Sequence, residues 1–304
     1  MNNLPHATSN ALKMDKNIYK CMEKVVQLLH EVVCMAKHRR IWNNSTFNKY
    51  LREGRGQGVG ATYSPWIRIQ DFPSLGMVSR VSGAKTGRIH HLMSNLELSL
   101  FYLLDWSDDV MDIREQYPLI DLSKAIEIAD MANIRYPYDA KSGFPYVLTS
   151  DFYLETRQGA MVISVKPSSE LGKPRVREKL EIERRYWAVR GVEWSIMTEN
   201  EINHIKARNI EWLAQAKDLS VFGLPESIQS TCCEYFLESY YSTNHSLFDL
   251  FKAIERVFGL VAGMGLNVYK HLAYWKRIVF NASKKVDLVE LCFDSNLHYA
   301  GGMA

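Results

Sequence analysis

Three polar side chains stand where a packed α/β core would not readily accept them: Glu97 among the apolar residues of SNLELSLFYLLDW, Asp151 within YVLTSDFYLET, and Lys166 at the end of AMVISVKP. Two carboxylates can hold a hard divalent cation through oxygen, and a lysine beside them can neutralise charge developing on an oxyanion. Side chains alternate across a strand, so Met161, Ile163 and Val165 share one face and Val162, Ser164 and Lys166 the other. A turn at Arg157, Gln158 and Gly159 folds the second run back along the first and brings Asp151 towards Lys166. Plainer readings stand beside this one. Glu97 follows Ser94 at capping-box spacing, where both side chains satisfy free amides of a first helical turn. Asp151 and Lys166 could equally form an ordinary salt bridge.

The elements that must position these residues are legible in outline. SNLELSLFYLLDW has the pattern of a helix, MDIREQYPL that of a short strand stopped by Pro118, and 121–146, with Pro137, Gly143 and Pro145, that of a looser region. The hairpin follows, then the charged helix PRVREKLEIERRYWAV, which stops at Gly191, and a last strand, VEWSIMT. This order predicts a compact α/β domain closing near Thr198. From Glu199 onward NEINHIKARNIEWLAQAKDL and the segments 224–241 and 246–258 read as helical, while NVYKHLAYWKRIVFNASKKVDLVEL mixes a helix with one or two strands. A small, mainly helical, winged-helix-like second domain is expected there. Upstream, residues 1 to about 13 read as disordered, Ile18 to Met35 carry a helical period, and WIRIQDF and MVSRVSG read as short extended pieces. The expected division is a helical extension over 1–45, an α/β domain over 46–198 and the helical domain over 199–304.

At 304 residues with 47% hydrophobic and 23% charged residues, the chain can bury real cores, and disordered and collagenous classes fall away. No apolar run reaches the roughly 18 residues that span a bilayer, and the N-terminus lacks a signal-peptide apolar region, so no membrane association and a cytoplasmic location are expected. The five cysteines have no zinc spacing and read as reduced packing thiols. A net charge of +3 leaves the decision to local clusters. Lys37, Arg39, Arg40, Lys49, Arg52 and Arg55 precede or enter the Gly-rich EGRGQGVG, and Lys85 and Arg88 lie in KTGRIHH. Each stretch is either a solvated linker or a mobile loop that follows a DNA backbone. Near the C-terminus Lys270, His271, Lys276, Arg277, Lys284 and Lys285 gather alongside Tyr269, Tyr274 and Trp275, which suits DNA, an acidic protein partner or simple solvation of a helix.

An acid in one strand, then a polar residue, a spacer and a lysine in the next, resembles the PD-(D/E)-x-K pattern of restriction-endonuclease-like nucleases, which hydrolyse phosphodiesters with one or two Mg²⁺ ions. More specifically, the ordered blocks YLREGRGQG, TYSPWIRIQDFPS, SRVSGAKTGRIHHLMSNLEL, DIREQYPL, TSDFYL, SVKP, EKLEIERRYW and TENEINHIKARNIEWL resemble the TnsA family, the endonuclease subunits of heteromeric transposases. The resemblance implies a restriction-endonuclease-like mixed-sheet domain, a C-terminal winged-helix-like domain and Mg²⁺-dependent cutting of transposon 5′ ends, with Mn²⁺ able to substitute. It further implies transposon-end DNA, a DDE-type TnsB-like transposase and a TnsC-like AAA+ ATPase as partners, and association with the nucleoid when active. Carried over, the family's metal ligands fall on Glu97, Asp151 and the carbonyl of Val165, and its motif lysine on Lys166; Glu183 matches a further acidic position, or is a solvated helix acid beside Arg184 and Arg185. Where the family's best-known form has glutamine, this chain has Ser164, a shorter neutral group that can still hydrogen-bond a bound water. A DNA-binding assembly subunit whose nuclease has decayed is the alternative, which retention of Glu97, Asp151 and Lys166 disfavours.

Overall fold

The computed structural model describes residues 41–71, 77–242 and 246–293. The helix expected from Ile18 to Met35, Cys21, Cys34 and the basic residues Lys37, Arg39 and Arg40 lie outside the described residues. In chain order, helix α1 (Asn44–Arg52) precedes strands β1 (Ser79–Ser82) and β2 (Ile89–Leu92), helix α2 (Asn95–Trp106), strand β3 (Val110–Pro118) and helix α3 (Leu122–Met131). Strands β4 (Thr149–Thr156) and β5 (Gly159–Val165), helix α4 (Pro174–Ala188) and strand β6 (Glu193–Met197) complete the α/β part. Helices α5 (His204–Ala214), α6 (Glu226–Ser242), α7 (Leu247–Val257), α8 (Met264–Tyr274) and α9 (Leu288–Phe293) follow.

The central sheet has the order β3-β4-β5-β6, antiparallel across the first two pairs and parallel between β5 and β6. Its hairpin closes where Thr156 pairs with Gly159, whose φ of 125° is one that side-chain-bearing residues avoid. Leu100 and Phe101 of α2 pack with Ile113, Phe152, Leu154, Ile163 and Val165 on one face. Ala125 and Ile128 of α3 and Ile182, Tyr186 and Trp187 of α4 pack with Val162 on the other. The alternation along β5 thus divides its side chains between two cores, and the sheet is the middle layer of three.

Two expectations are corrected, and a third is not met among the described residues. The region 121–146 contains α3: the Asp121 carboxylate caps it by accepting from the Lys124 amide, and Ala125, Ile128 and Ala129 bury one face before Pro137 is reached. WIRIQDF forms no strand; Ile69–Asp71 is one turn of 3₁₀ helix. Nor is a winged-helix hairpin seen among the described residues, where no strand occurs after Met197. Between α8 and α9 the chain's carbonyls are taken by a side chain: Asn209 Nδ2 donates to Ala282 O at 2.6 Å and Lys284 O at 2.7 Å, where a wing would pair strands.

The C-terminal basic stretch is largely committed to packing. Tyr269 and Tyr274 are core residues, and Lys270 is buried with its ammonium on Gln215 Oε1 at 2.8 Å, its pKa lowered by burial to about 8. Lys276 pairs with Asp108 at 2.5 Å. The helical region is fastened to α2, where Ile210, Leu213 and Tyr274 pack against Tyr102, Leu103 and Trp106. Trp106 Nε1 donates to Tyr274 O at 2.7 Å, and the Tyr274 hydroxyl donates to Asp105 Oδ2 at 3.1 Å. Asp105 also accepts from the Ala84 and Lys85 amides, so one buried carboxylate ties α2 both to the loop after β1 and to α8. Asp105→Ala strands two loop amides and a hydroxyl and should cost about 2 to 3 kcal/mol, against about 1 kcal/mol for Tyr274→Phe. Urea unfolding that ranks the two variants equally would show that the loop draws its order from elsewhere.

Candidate active site

Glu97 sits in the first turn of α2. Its amide donates to the Ser94 hydroxyl at 3.1 Å, so the serine caps the helix as its spacing predicts. Its carboxylate does not reach back to the Ser94 amide. It accepts from Met93 N at 2.9 Å and the Ser94 hydroxyl at 3.0 Å, and from Gln116 Nε2 at 3.3 Å. The cap and the buried acid are one feature: satisfying the helix start fixes the carboxylate at the end of the sheet.

Asp151 lies on β4, where its Oδ2 accepts from Val165 N at 2.7 Å and from Lys166 Nζ at 2.7 Å. Lys166 follows β5 directly, its amide donating to Met197 O at 3.1 Å. Its ammonium also donates to Val165 O at 2.8 Å, and its side chain remains 34% exposed. The ammonium therefore bridges the two oxygens, one carboxylate and one carbonyl, that lie at the mouth of the site. Burial works against this charge, yet Asp151, with Glu183 and Glu97 beyond it, holds the ammonium above its ordinary range.

Ser164 faces α4 with Val162, as strand alternation requires, whereas Lys166, just beyond the end of β5, turns to Asp151 instead of following that face. The Ser164 hydroxyl donates to Glu183 Oε1 at 2.5 Å, inside the core between β5 and α4. Glu183 is only 6% exposed, while Arg184 and Arg185 both pair with Glu181, so Glu183 is not a solvated helix acid. Burial, then the charge of Asp151, pushes the Glu183 carboxyl up to about 7, and hydrogen bonds from Ser150 and Ser164 only partly oppose this. Glu97 is raised to about 7 by the same two causes in the same order. Glu97, Asp151, Val165, Lys166, Ser164 and Glu183 are thus brought together, the last two behind the others. Sequence reasoning missed Gln116, whose contact with Glu97 depends on a backbone conformation that composition does not signal.

The two basic loops divide. Arg55 is buried, bonded to Asp71 at 2.5 Å and Glu53 at 2.8 Å and stacked on Tyr50. Arg88 grips Glu115 with both terminal nitrogens at 2.8 and 2.6 Å, and His90 joins the same carboxylate at 2.7 Å while its other nitrogen meets the Thr86 hydroxyl at 2.7 Å. Burial would raise Glu115, but Arg88 and His90 overcome it and hold the carboxyl down at about 2. Both arginines answer buried acids distant in sequence, Asp71 and Glu115. Arg52 is exposed and bonds only its own helix at Asn48 O, and Lys85 is half-buried with no partner for its ammonium among the described residues.

The chain is thus a mixed α/β protein with an acid and a lysine meeting at the end of its hairpin, helices on both faces of the sheet and an appended helical region. Residues 107–199 match the family model described as TnsA-like endonuclease N terminal, and residues 201–281 that described as TnsA endonuclease C terminal, together more than half of the chain. The transposon Tn7 transposition protein TnsA of Escherichia coli is 41% identical over 186 residues, covering 60% of this chain and 67% of that protein. The chain belongs to the TnsA endonuclease family. No helix among the described residues is long and apolar enough to cross a membrane.

The two raised carboxyls set a pH dependence. Their folded values near 7 lie above the ordinary 4.5, so the folded state keeps protons that the unfolded chain has already lost. Their contribution is complete below about pH 4.5 and disappears as pH rises through about 7. Without added divalent ions, thermal stability should fall across that window, and Glu183→Gln should flatten the fall by on the order of 3 kcal/mol at most. A variant that keeps the full pH slope would mean that Glu183 stays ionised in its pocket.

Proposed function

We propose that this chain is the endonuclease subunit of a cut-and-paste transposase and cleaves the 5′, non-transferred strands at transposon ends by divalent-metal-dependent phosphodiester hydrolysis. The observation that carries the reading is the meeting of Asp151, Val165 O and Lys166 at the end of the hairpin, beside the buried Glu97. The donor set suits a hard cation. Glu97 and Asp151 offer carboxylate oxygens and Val165 a carbonyl, with no thiolate or imidazole, which favours Mg²⁺, or Mn²⁺ in its place, over zinc. No group of three or more His, Cys, Asp or Glu side chains poised for a metal occurs among the described residues.

When bound, one or two such ions polarise the phosphoryl oxygen and lower the pKa of water. The protein's own groups do the rest. Glu97 and Asp151 hold and orient the site, Glu97 fixed by the α2 cap and Asp151 by the Val165 amide. Lys166, kept protonated by the surrounding acids, places a positive charge where negative charge develops on the phosphate. Ser164 contributes indirectly: its hydroxyl ties β5 to Glu183 and so steadies the strand that presents Val165 and Lys166. We assign the nuclease domain to 46–198 and an assembly role to 199–304, with transposon-end DNA, a TnsB-like transposase and a TnsC-like ATPase as partners at the nucleoid.

Asp151→Ala and Lys166→Ala should each reduce 5′-end cleavage by about 100-fold or more while leaving DNA binding nearly intact. With 3′ cutting by the partner transposase preserved, products should shift from simple insertions to cointegrates; simple insertions at the unmutated rate would sink the assignment. For the DNA surface, Arg52→Ala and Lys85→Ala should each weaken binding and reduce its salt slope by about one. A salt slope that responds to neither substitution would make both side chains ordinary solvated cations.

A further inference from the structure

Gln116 is the one left-handed non-glycine among the described residues that lies inside a strand. The others, Asn133 and Lys276, follow the ends of α3 and α8, where such a turn is ordinary, whereas Gln116 has φ 50° within β3. An L side chain adopts this conformation at an energetic cost and keeps it only where its surroundings demand it. The local register shows what is demanded. Glu115 pairs with Phe152 and Tyr117 with Ser150, so Gln116 lies across from Asp151, yet its carbonyl leaves the sheet and accepts from Trp66 N at 3.3 Å. The side chain, 4% exposed, is held at both ends: Oε1 accepts from the Thr149 hydroxyl at 3.1 Å and Nε2 donates to Glu97 Oε2 at 3.3 Å. Met93 N already donates to Glu97 Oε2, so that oxygen is an acceptor and the amide turns its nitrogen to it.

Counting acceptor sites gives this contact its meaning. A carboxylate has about four lone-pair sites. Met93 N and Gln116 Nε2 take both on Glu97 Oε2, and the Ser94 hydroxyl takes one on Oε1, leaving a single site on Oε1 for a ligand. Met93 and Ser94 belong to the helix cap and move with α2. Gln116 is the group in this set that belongs to the sheet, and it stands opposite Asp151.

We propose that Gln116 is a positioning residue for Glu97: its amide, aimed by the left-handed backbone, references the helix carboxylate to the strand that carries Asp151, so that both acids share one cation. This rests on the metal-site reading above. The residue touches neither substrate nor metal and acts through Glu97.

The test is Mn²⁺ binding by the full chain, followed by electron paramagnetic resonance, for the wild type, Asp151→Ala, Gln116→Gly, Gln116→Met and Gln116→Asn. Gln116→Gly keeps the left-handed turn and removes the amide, Gln116→Met keeps the length without the amide, and Gln116→Asn tolerates the turn with a shorter amide. The expected result is folded variants, affinity lower by about 10-fold or more for Gly and Met, and partial recovery for Asn. Cleavage should fall in kcat rather than in KM for DNA. Gly and Met variants that bind Mn²⁺ as tightly as the wild type, while Asp151→Ala does not, would overturn this inference alone. Equal binding by the wild type and Asp151→Ala would remove the metal site and the inference together. Unfolding of all three Gln116 variants would make the residue structural and overturn the positioning role.

Discussion

The structure turns on an excess of negative charge at the end of one sheet. Glu97, Asp151 and Glu183 lie there around the ammonium of Lys166, and the charge of Asp151 acts on both glutamates. Burial first, and then the charge of Asp151, pushes Glu97 and Glu183 up to about 7. Lys166 offsets part of the imbalance by lying between Asp151 Oδ2 and Val165 O. A divalent cation would offset more of it, and would compete with the lysine for the same two oxygens. The surplus of acid that burdens the protein alone would thus favour a cation at the proposed site.

The scaffold holds this unfavourable cluster by distributing its fixation. Glu97 is set by the cap of α2, Asp151 by a main-chain amide of β5, and Glu183 by a serine on that strand's opposite face. The same helix that ends in Glu97 at one end carries Asp105 and Trp106 at the other, both bonded to Tyr274 of the helical region. The acidic site and the helical region therefore share one rigid element, α2, and packing of α5 along its flank keeps it seated on the sheet.

Much of this was legible in the amino-acid sequence because it depends on short-range rules. Strand alternation and a two-residue turn suffice to bring Asp151 and Lys166 into contact, and Ser94 at capping distance marks the helix start that buries Glu97. Both readings of Glu97, cap and buried acid, describe the same residue. What was not legible depends on partners far along the chain. Arg55 and Arg88 sit in glycine-rich loops that look mobile, and only folding brings Asp71 and Glu115 to them. Among the described residues no wing is seen, and there Asn209, on a helix over seventy residues upstream, takes the carbonyls of Ala282 and Lys284. Gln116 leaves no trace at all, since its left-handed backbone lies within a run that reads as strand.

The central claim is that Glu97, Asp151 and the Val165 carbonyl form one cation site from which Lys166 must withdraw. Anomalous diffraction from crystals soaked in Mn²⁺ tests it most directly. The account predicts a peak within about 2.3 Å of a Glu97 oxygen, an Asp151 oxygen and Val165 O, with the Lys166 ammonium moved off Asp151. A Mn²⁺ peak elsewhere, or an intact Lys166–Asp151 contact beside bound metal, would contradict it.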